Sequence, residues 1–340
     1  MTLLSQQRSP GADFAELTEQ VRAAGLLTPR RGYYAAKITA NLLLTAGCWT
    51  AFALLGASPW QLAVAVALGF VLLQAGFLGH DAGHRQITRS KRAAELLGLL
   101  HLNLLLGAAN GWWVAHHNRH HSDPNNLDRD PDTLRRPVAF DVSELPVKGR
   151  TAARRLLIRF QAVLFFVLLG NEAVRVRTAG IRAARAGVLR NPALELGLVA
   201  IHIGLFLGAV FVVLPVGLAL AFVVVSQVTL GLGLGAVFAP NHKGMPVHRD
   251  DDDLDWLHRQ VLTSRNIRAG RLVDFLFGGL NHQIEHHLFP GMPRANLRRA
   301  RPIVRAYCAR HAIPYREVSL WASYRAVAAH LGEVSRQARR

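Results

Sequence analysis

Acid is scarce in this chain. Its 340 residues hold 22 Asp and Glu against 40 Lys and Arg, and only 18% are charged. About a quarter is usual for a soluble protein. Cysteine is scarcer: two residues exclude a disulfide scaffold and any Cys-based zinc module. Lysine is nearly missing, 4 against 36 Arg, a bias that suggests a GC-rich bacterial source. Disordered chains are polar; this one is 51% apolar with a mean hydropathy of +0.18. Residues 1–35 are polar and lack the apolar core of a secretory signal, so they read as a tail. The net charge of +18 suggests nucleic acid, but no nucleic-acid-binding motif is present. The aromatics do not interleave with the basic residues either, so no nucleic-acid partner is expected.

Charge is also missing in long runs. Residues 38–80, 43 positions, and 196–242, 47 positions, contain no Asp, Glu, Lys or Arg. A spanning helix needs about 20 apolar residues. Each run therefore predicts two spans and a tight turn, the first near Gly56, Ala57, Ser58 and Pro59, the second near Leu214, Pro215 and Val216. Both turns are uncharged, while Arg22, Arg30, Arg31, Lys37, Arg85, Arg89, Lys91, Arg92 and Arg175–Arg190 flank the runs. The positive-inside rule then puts every basic segment in the cytoplasm. Two shorter apolar stretches, 93–111 and 156–170, have basic flanks at both ends and read as helices dipping into or lying along the interface. The expected fold is an all-α integral membrane protein. It has four transmembrane helices as two hairpins, interfacial helices and a cytoplasmic cap holding a His-rich dimetal site. One domain covers 1–340, with a tail at 1–35 and a first hairpin at 36–80. An interfacial region at 81–192, a second hairpin at 193–240 and a cap at 241–340 follow.

Histidine, by contrast, is abundant: sixteen residues. His80 and His84 are i and i+4, on one helical face. His117, His120 and His121 are i, i+3 and i+4. Gln283, His286 and His287 repeat that spacing with glutamine first. His242 follows the fourth span alone. An even number of spans separates the groups, so all are expected on one side of the membrane. Imidazole suits iron, zinc, copper and nickel, and this many ligands exceed what one ion accepts. His116 and His282 sit beside these series but off their favoured faces. His202 is isolated inside a span, and His248, His258, His311 and His330 look like ordinary surface residues.

These groups resemble the three histidine boxes of the membrane fatty acid desaturases, H-x(3–4)-H, H-x(2–3)-H-H and (H/Q)-x-x-H-H. The resemblance runs from about Ile38 to about Leu297. Glutamine opening box three, within the segment Gly279 to Pro290, looks like the front-end (Δ6/Δ5-type) subgroup. Trp112-Trp113, the acidic run Asp123 to Asp132 and Thr263-Ser264-Arg265-Asn266 also fit. The resemblance implies a non-haem di-iron centre with O2 as co-substrate, held by His80, His84, His117, His120, His121, His286 and His287. It adds His242 as a further ligand, and Gln283 directly or through water. Asp81, Asp128, Asp130, Asp132 and Glu285 are candidates to hold the rings from outside. No His-Pro-Gly-Gly haem motif of a fused cytochrome b5 is present. Electrons are therefore expected from a ferredoxin or another small electron-transfer protein with its reductase. The implied substrate is an acyl-lipid or acyl-CoA among membrane lipids. The implied location is a bacterial inner membrane with the site and both termini cytoplasmic.

Two alternatives stand. One is a di-iron lipid hydroxylase or tailoring oxygenase on the same scaffold, since those relatives share the boxes. The other is a metal transporter, which needs ligands along the spans. The span interiors are read as mainly apolar, with His202, Ser226, Gln227 and Thr229 the polar residues weighed against such a path.

Overall fold

The computed structural model describes residues 13–134, 137–252, 254–268 and 270–338. The principal helices are α1 (Phe14–Ala23), α2 (Arg31–Leu55), α3 (Gln61–Gly83), α4 (Lys91–Gly98), α5 (Asn110–Ser122), α6 (Glu172–Arg185), α7 (Pro192–Val213), α8 (Val216–His242), α9 (Trp256–Leu262), α10 (Gln283–Leu288), α11 (Arg294–Arg310) and α12 (Leu320–Gln337). The fold is mainly helical, but it is not purely α. Strands β1 (Asn266–Ile267) and β2 (Glu317–Val318) pair in parallel. The chain divides into two compact units. We call residues 29–115 and 168–236 the apolar unit, and 1–28, 116–167 and 237–340 the polar unit.

In the apolar unit, α2, α3, α7 and α8 are each long and apolar enough to cross a membrane. Their turn-side ends fall where the uncharged runs predict, while α2 begins earlier, at Arg31, α3 runs on through Asp81 to Gly83, and α7 takes in Glu195. Gly56, at φ 51, closes α2, and Leu214 closes α7 in extended backbone. The left-handed conformation at Gly56 is one that a side chain would oppose. Asn191 caps the start of α7, with Pro192 in its first turn. The most apolar window of α3 is 67% buried, against 17% in α2, so α3 is the packed helix of this unit. Small residues let backbones approach. A Cβ on Gly69 would come within 2.7 Å of the Ser226 carbonyl oxygen, and one on Gly231 would strike the Gly170 carbonyl. Large aliphatic side chains such as Leu54 and Val212 are exposed on this unit. That surface suits lipid and would be unfavourable in water.

Residues 91–122 form two helical arms bent by 107° at a break. The first arm is α4 continued by a π-helical segment, Leu99–Leu106, which ends on Gly107 at φ 80. A break inside an apolar region leaves carbonyls without helical partners. Here His202 Nδ1 bonds Leu104 O at 2.9 Å, and Arg177 Nη2 donates to Leu106 O at 3.0 Å. A Cβ at Gly107 would overlap both side chains, which is a second reason for glycine there.

The polar unit has its own core. Leu17 and Val21 of α1 pack with Val261, Ile284, Leu297, Val304 and Tyr307. The Tyr307 hydroxyl donates to Asp13 O and accepts from Asp13 N, both at 2.7 Å. This corrects the expected tail. From Asp13 onward it carries helix α1, whose apolar residues recur with helical spacing and whose Leu17 and Val21 are buried; residues 1–12 lie outside the described residues.

Candidate metal centre

The polar unit gathers seven of the nine predicted ligands. His117, His120 and His121 lie on α5, His242 ends α8, and Gln283, His286 and His287 start from α10; all are buried. The His121 ring stacks on His287 at 4.2 Å between centroids and lies 4.7 Å from His286. His121 Nε2 and His117 Nε2 are 3.1 Å apart. His80 and His84 belong to the apolar unit. They close α3 with ring centroids 4.7 Å apart, beside Trp113. Gly83 carries no side chain because the Trp113 ring fills that space.

The arrangement of His120, His242 and His287 is the most informative. Their ligand nitrogens lie within 4.8 Å of one another. His120 Nδ1 contacts both oxygens of Asp130 at 3.1 Å. His242 Nδ1 contacts Thr263 O at 3.1 Å, and His287 Nδ1 contacts Gln260 Oε1 at 2.9 Å. The Gln260 amide is oriented by its N–H donation to His121 O at 3.0 Å. Each of these partners accepts and cannot donate, so each Nδ1 carries the proton and each Nε2 keeps its lone pair. His120 Nε2 and His242 Nε2 then face each other at 3.3 Å. Two tetrahedral nitrogen ligands at about 2.0–2.1 Å from a metal have nearly that separation. The donor set therefore fits a first-row cation.

Gln283 meets the group through nitrogen. Its Oε1 accepts from Asn241 Nδ2 at 3.0 Å, and Asn241 Nδ2 is itself bound to Leu280 O. That leaves the Gln283 amide N–H facing His242 Nε2 at 2.9 Å.

The surroundings hold this geometry. The Asp130 carboxylate also accepts from Asn125 N and Asp132 N, both at 2.8 Å. Burial alone pushes the Asp130 carboxyl up, but the charge and hydrogen bond of His120 outweigh it and hold it low. Burial lowers His120, and Asp130 and Asp132 more than reverse that, so its pKa is raised. Arg265 fastens the end of α8 by donating to Pro240 O and Lys243 O, a cation on helix carbonyls. Its burial pushes the guanidinium down to about 10.

The five predicted outer carboxylates separate. Asp130 holds His120, and Asp81 lies 3.2 Å from its neighbour His80. Asp132 pairs with His116 at 3.2 Å. Asp128 faces outward to Arg249 at 2.7 Å. The carboxylate of Glu285 instead accepts from Tyr315 and Asn266, both at 2.7 Å, tying α10 to β1. Burial raises its pKa, with those hydrogen bonds opposing. His282 pairs with Asp274 at 3.1 Å. The expected surface placement of His248 and His258 is overturned: both are buried, one on Pro124 O and the other on Asp255. Gln260 and Asn241 carry no sequence signal of their own, and the segment beginning at Thr263 fits the family resemblance without showing that its carbonyl would hold a histidine.

Comparison with known proteins agrees with this geometry. The fatty acid desaturase family model matches residues 57–319. An acyl-lipid (9-3)-desaturase of the moss Physcomitrium patens is 30% identical over 91% of this chain, which spans 60% of that protein. Delta(8)-fatty-acid desaturase 2 of Arabidopsis thaliana is 30% identical, covering 91% of this chain and 71% of its own length. Delta(5) fatty acid desaturase fat-4 of Caenorhabditis elegans is 29% identical, covering 92% and 72%. The chain belongs to the fatty acid desaturase family, a family of oxidoreductases, and the relatives are of the front-end type that Gln283 suggested. Its four apolar helices agree with a multi-pass membrane protein.

Proposed function

We propose that this chain is a di-iron, O2-dependent acyl desaturase that introduces a cis double bond on the carboxyl side of a lipid- or CoA-linked chain. The observation that carries the reading is the convergence of the buried ring nitrogens of His120, His242 and His287 within 4.8 Å of one another. His80, His84, His117, His121 and His286 complete the proposed ligand set. Gln283, as oriented here, would act through water rather than its own oxygen. The spans α2–α3 and α7–α8 are read as two hairpins in a bacterial inner membrane. Both termini and the 241–340 cap are read as cytoplasmic, on the strength of the basic flanks and uncharged turns.

Iron, when bound, supplies the oxidising power that an unactivated C–H bond demands and no side chain offers. The chain contributes placement. Asp130, Gln260 and the Thr263 carbonyl hold the ring N–H groups, so that the imidazoles keep their orientation and present Nε2. Burial excludes bulk water from the group. In balance, –CH2–CH2– loses two hydrogens, and O2, two electrons and two protons complete the reaction. The products are –CH=CH– and two waters. The electrons come from a small acidic ferredoxin and its reductase, steered by exposed arginines such as Arg299 and Arg305.

The test is fatty acid analysis of a host expressing the chain with a ferredoxin and reductase, using mass spectrometry that localises double bonds. A new cis bond near the carboxyl end, absent from a His286→Ala control, is the expected result. A product heavier by one oxygen would move the enzyme to hydroxylation, and no product from acyl-lipid or acyl-CoA would overturn the substrate class.

A further inference from the structure

The polar unit carries a second concave feature, away from the histidines. A groove of about 470 Å³ is lined by Ala152, Arg155, Leu156, Arg159 and Ala338. One wall is the helix Ala152–Arg159, capped by Thr151, whose hydroxyl accepts from Arg154 N at 3.3 Å. The end of α12 is fastened to that helix by Ser335 Oγ, which donates to Ile158 O at 2.8 Å.

Two guanidinium groups stand one turn apart on this wall. Arg155 Nη1 donates to Gly149 O at 3.2 Å and Arg150 O at 3.4 Å. Arg159 lies 5.5 Å from the centroid of the Phe160 ring. Both are therefore partly preorganised. From 145 to 171 the chain contains no Asp or Glu, while Arg150 and Arg154 add further positive charge. The acid at the neighbouring end of α12, Glu333, is engaged by Arg336 and Gln337.

Beside the cations runs an apolar stripe. Leu156, Phe160, Val163 and Val167 are 58, 49, 70 and 69% exposed. Leu156 lies on the helix Ala152–Arg159, Phe160 at its end, and Val163 and Val167, i and i+4, on one face of the next helix, Gln161–Leu169. A soluble anion would use the arginines and leave this stripe in water. A phospholipid uses both. Guanidinium matches phosphate bidentately, and a headgroup with its own cation would bring positive charge against Arg155 and Arg159.

We propose that this groove binds the headgroup of an anionic phospholipid, with its phosphate between Arg155 and Arg159 and its acyl chains along Leu156, Phe160, Val163 and Val167. The inference rests on the cytoplasmic, membrane-facing reading of the polar unit. An anionic lipid bound here anchors the 152–169 segment to the leaflet.

The experiment uses the full chain in nanodiscs of phosphatidylcholine with increasing phosphatidylglycerol, and native mass spectrometry of the lipids retained. The wild type should keep phosphatidylglycerol in preference to phosphatidylcholine. Arg155→Gln/Arg159→Gln should weaken that preference on the order of tenfold, and Arg299→Gln/Arg305→Gln, with the same charge change, should not. Equal loss in both double variants would reduce the site to diffuse charge and overturn it. Displacement of the lipid by millimolar inorganic phosphate alone would identify a free-anion site and also overturn it. So would an unchanged lipid preference accompanied by lost reduction by ferredoxin, which would make the groove a protein-docking face. Labelling of Arg159→Cys from each side of sealed vesicles reports orientation separately, so failure of the topology is distinguishable from failure of the lipid site.

Discussion

Two buried histidine environments, one in each unit, show what separates a ligand from a structural imidazole. His202 in the apolar unit and His242 in the polar unit both contact a backbone oxygen through Nδ1, Leu104 O and Thr263 O respectively. The other nitrogen differs. His202 Nε2 meets a donor, Arg177 Nη2, at 3.4 Å. His242 Nε2 meets another ring nitrogen, His120 Nε2, at 3.3 Å, as well as the Gln283 amide N–H at 2.9 Å. A lone pair facing a guanidinium is already satisfied. His242 has two further imidazole nitrogens within 4.8 Å, from His120 and His287, with which to share a cation, and His202 belongs to no such group among the described residues. Burial alone, shared by both, would not have told them apart.

The comparison can be broken most directly in the polar unit. His287→Ala should abolish desaturation and lower the iron measured by plasma mass spectrometry, while the protein still inserts in the membrane. Normal turnover with full iron would remove His287 from the ligand set. Asp130→Asn should be milder, raising the apparent iron dissociation constant roughly 10- to 100-fold, the usual effect of losing a carboxylate behind a metal-binding ring. A chelator competition series measures it, and an unchanged constant would mean that His120 needs no outer anchor.

The apolar unit should answer differently. His202→Phe removes the ring N–H that Leu104 O accepts and one of the contacts of Arg177, so it should cost about 1–3 kcal/mol of stability. Thermal unfolding in detergent reads that loss. Iron per folded protein should stay at the wild-type value, and its disappearance would erase the distinction between the two environments.

The smallest effect concerns pH. His330 donates from Nε2 to Phe140 O at 2.7 Å. Burial first, then the charges of Lys243 and Arg265, lower its pKa, with the Phe140 hydrogen bond and Asp141 opposing. The folded state therefore binds fewer protons at this site than the unfolded state. Its contribution is complete above the unfolded value of about 6.5 and is lost as pH falls through the folded value. His330→Gln should flatten the decline in melting temperature from pH 7 to pH 5. An identical decline in both proteins would place the acid sensitivity elsewhere.

Much of this was legible in residue order. The uncharged runs delimit the helices α2, α3, α7 and α8 because a side chain must match its solvent along the whole span, which makes the signal long and local. Box spacing was equally legible, since i, i+3 and i+4 fall on one helical face in any setting. Other features were hidden. Asp128, Asp130 and Asp132 look alike in sequence, yet only Asp130 is buried against His120, because the Asn125 and Asp132 amides close around its carboxylate. His248 and His258 read as surface residues because nothing near them in the chain announces the distant backbone that covers them.

Residue order alone determined the family, the spans and which histidines could share a face, because each depends on composition or on separations of a few residues. Only the tertiary structure decided which nitrogen of each ring keeps its lone pair. That depends on acceptors such as Thr263 O and Gln260, which stand 21 and 27 residues from the histidines they orient and are brought to them by folding alone.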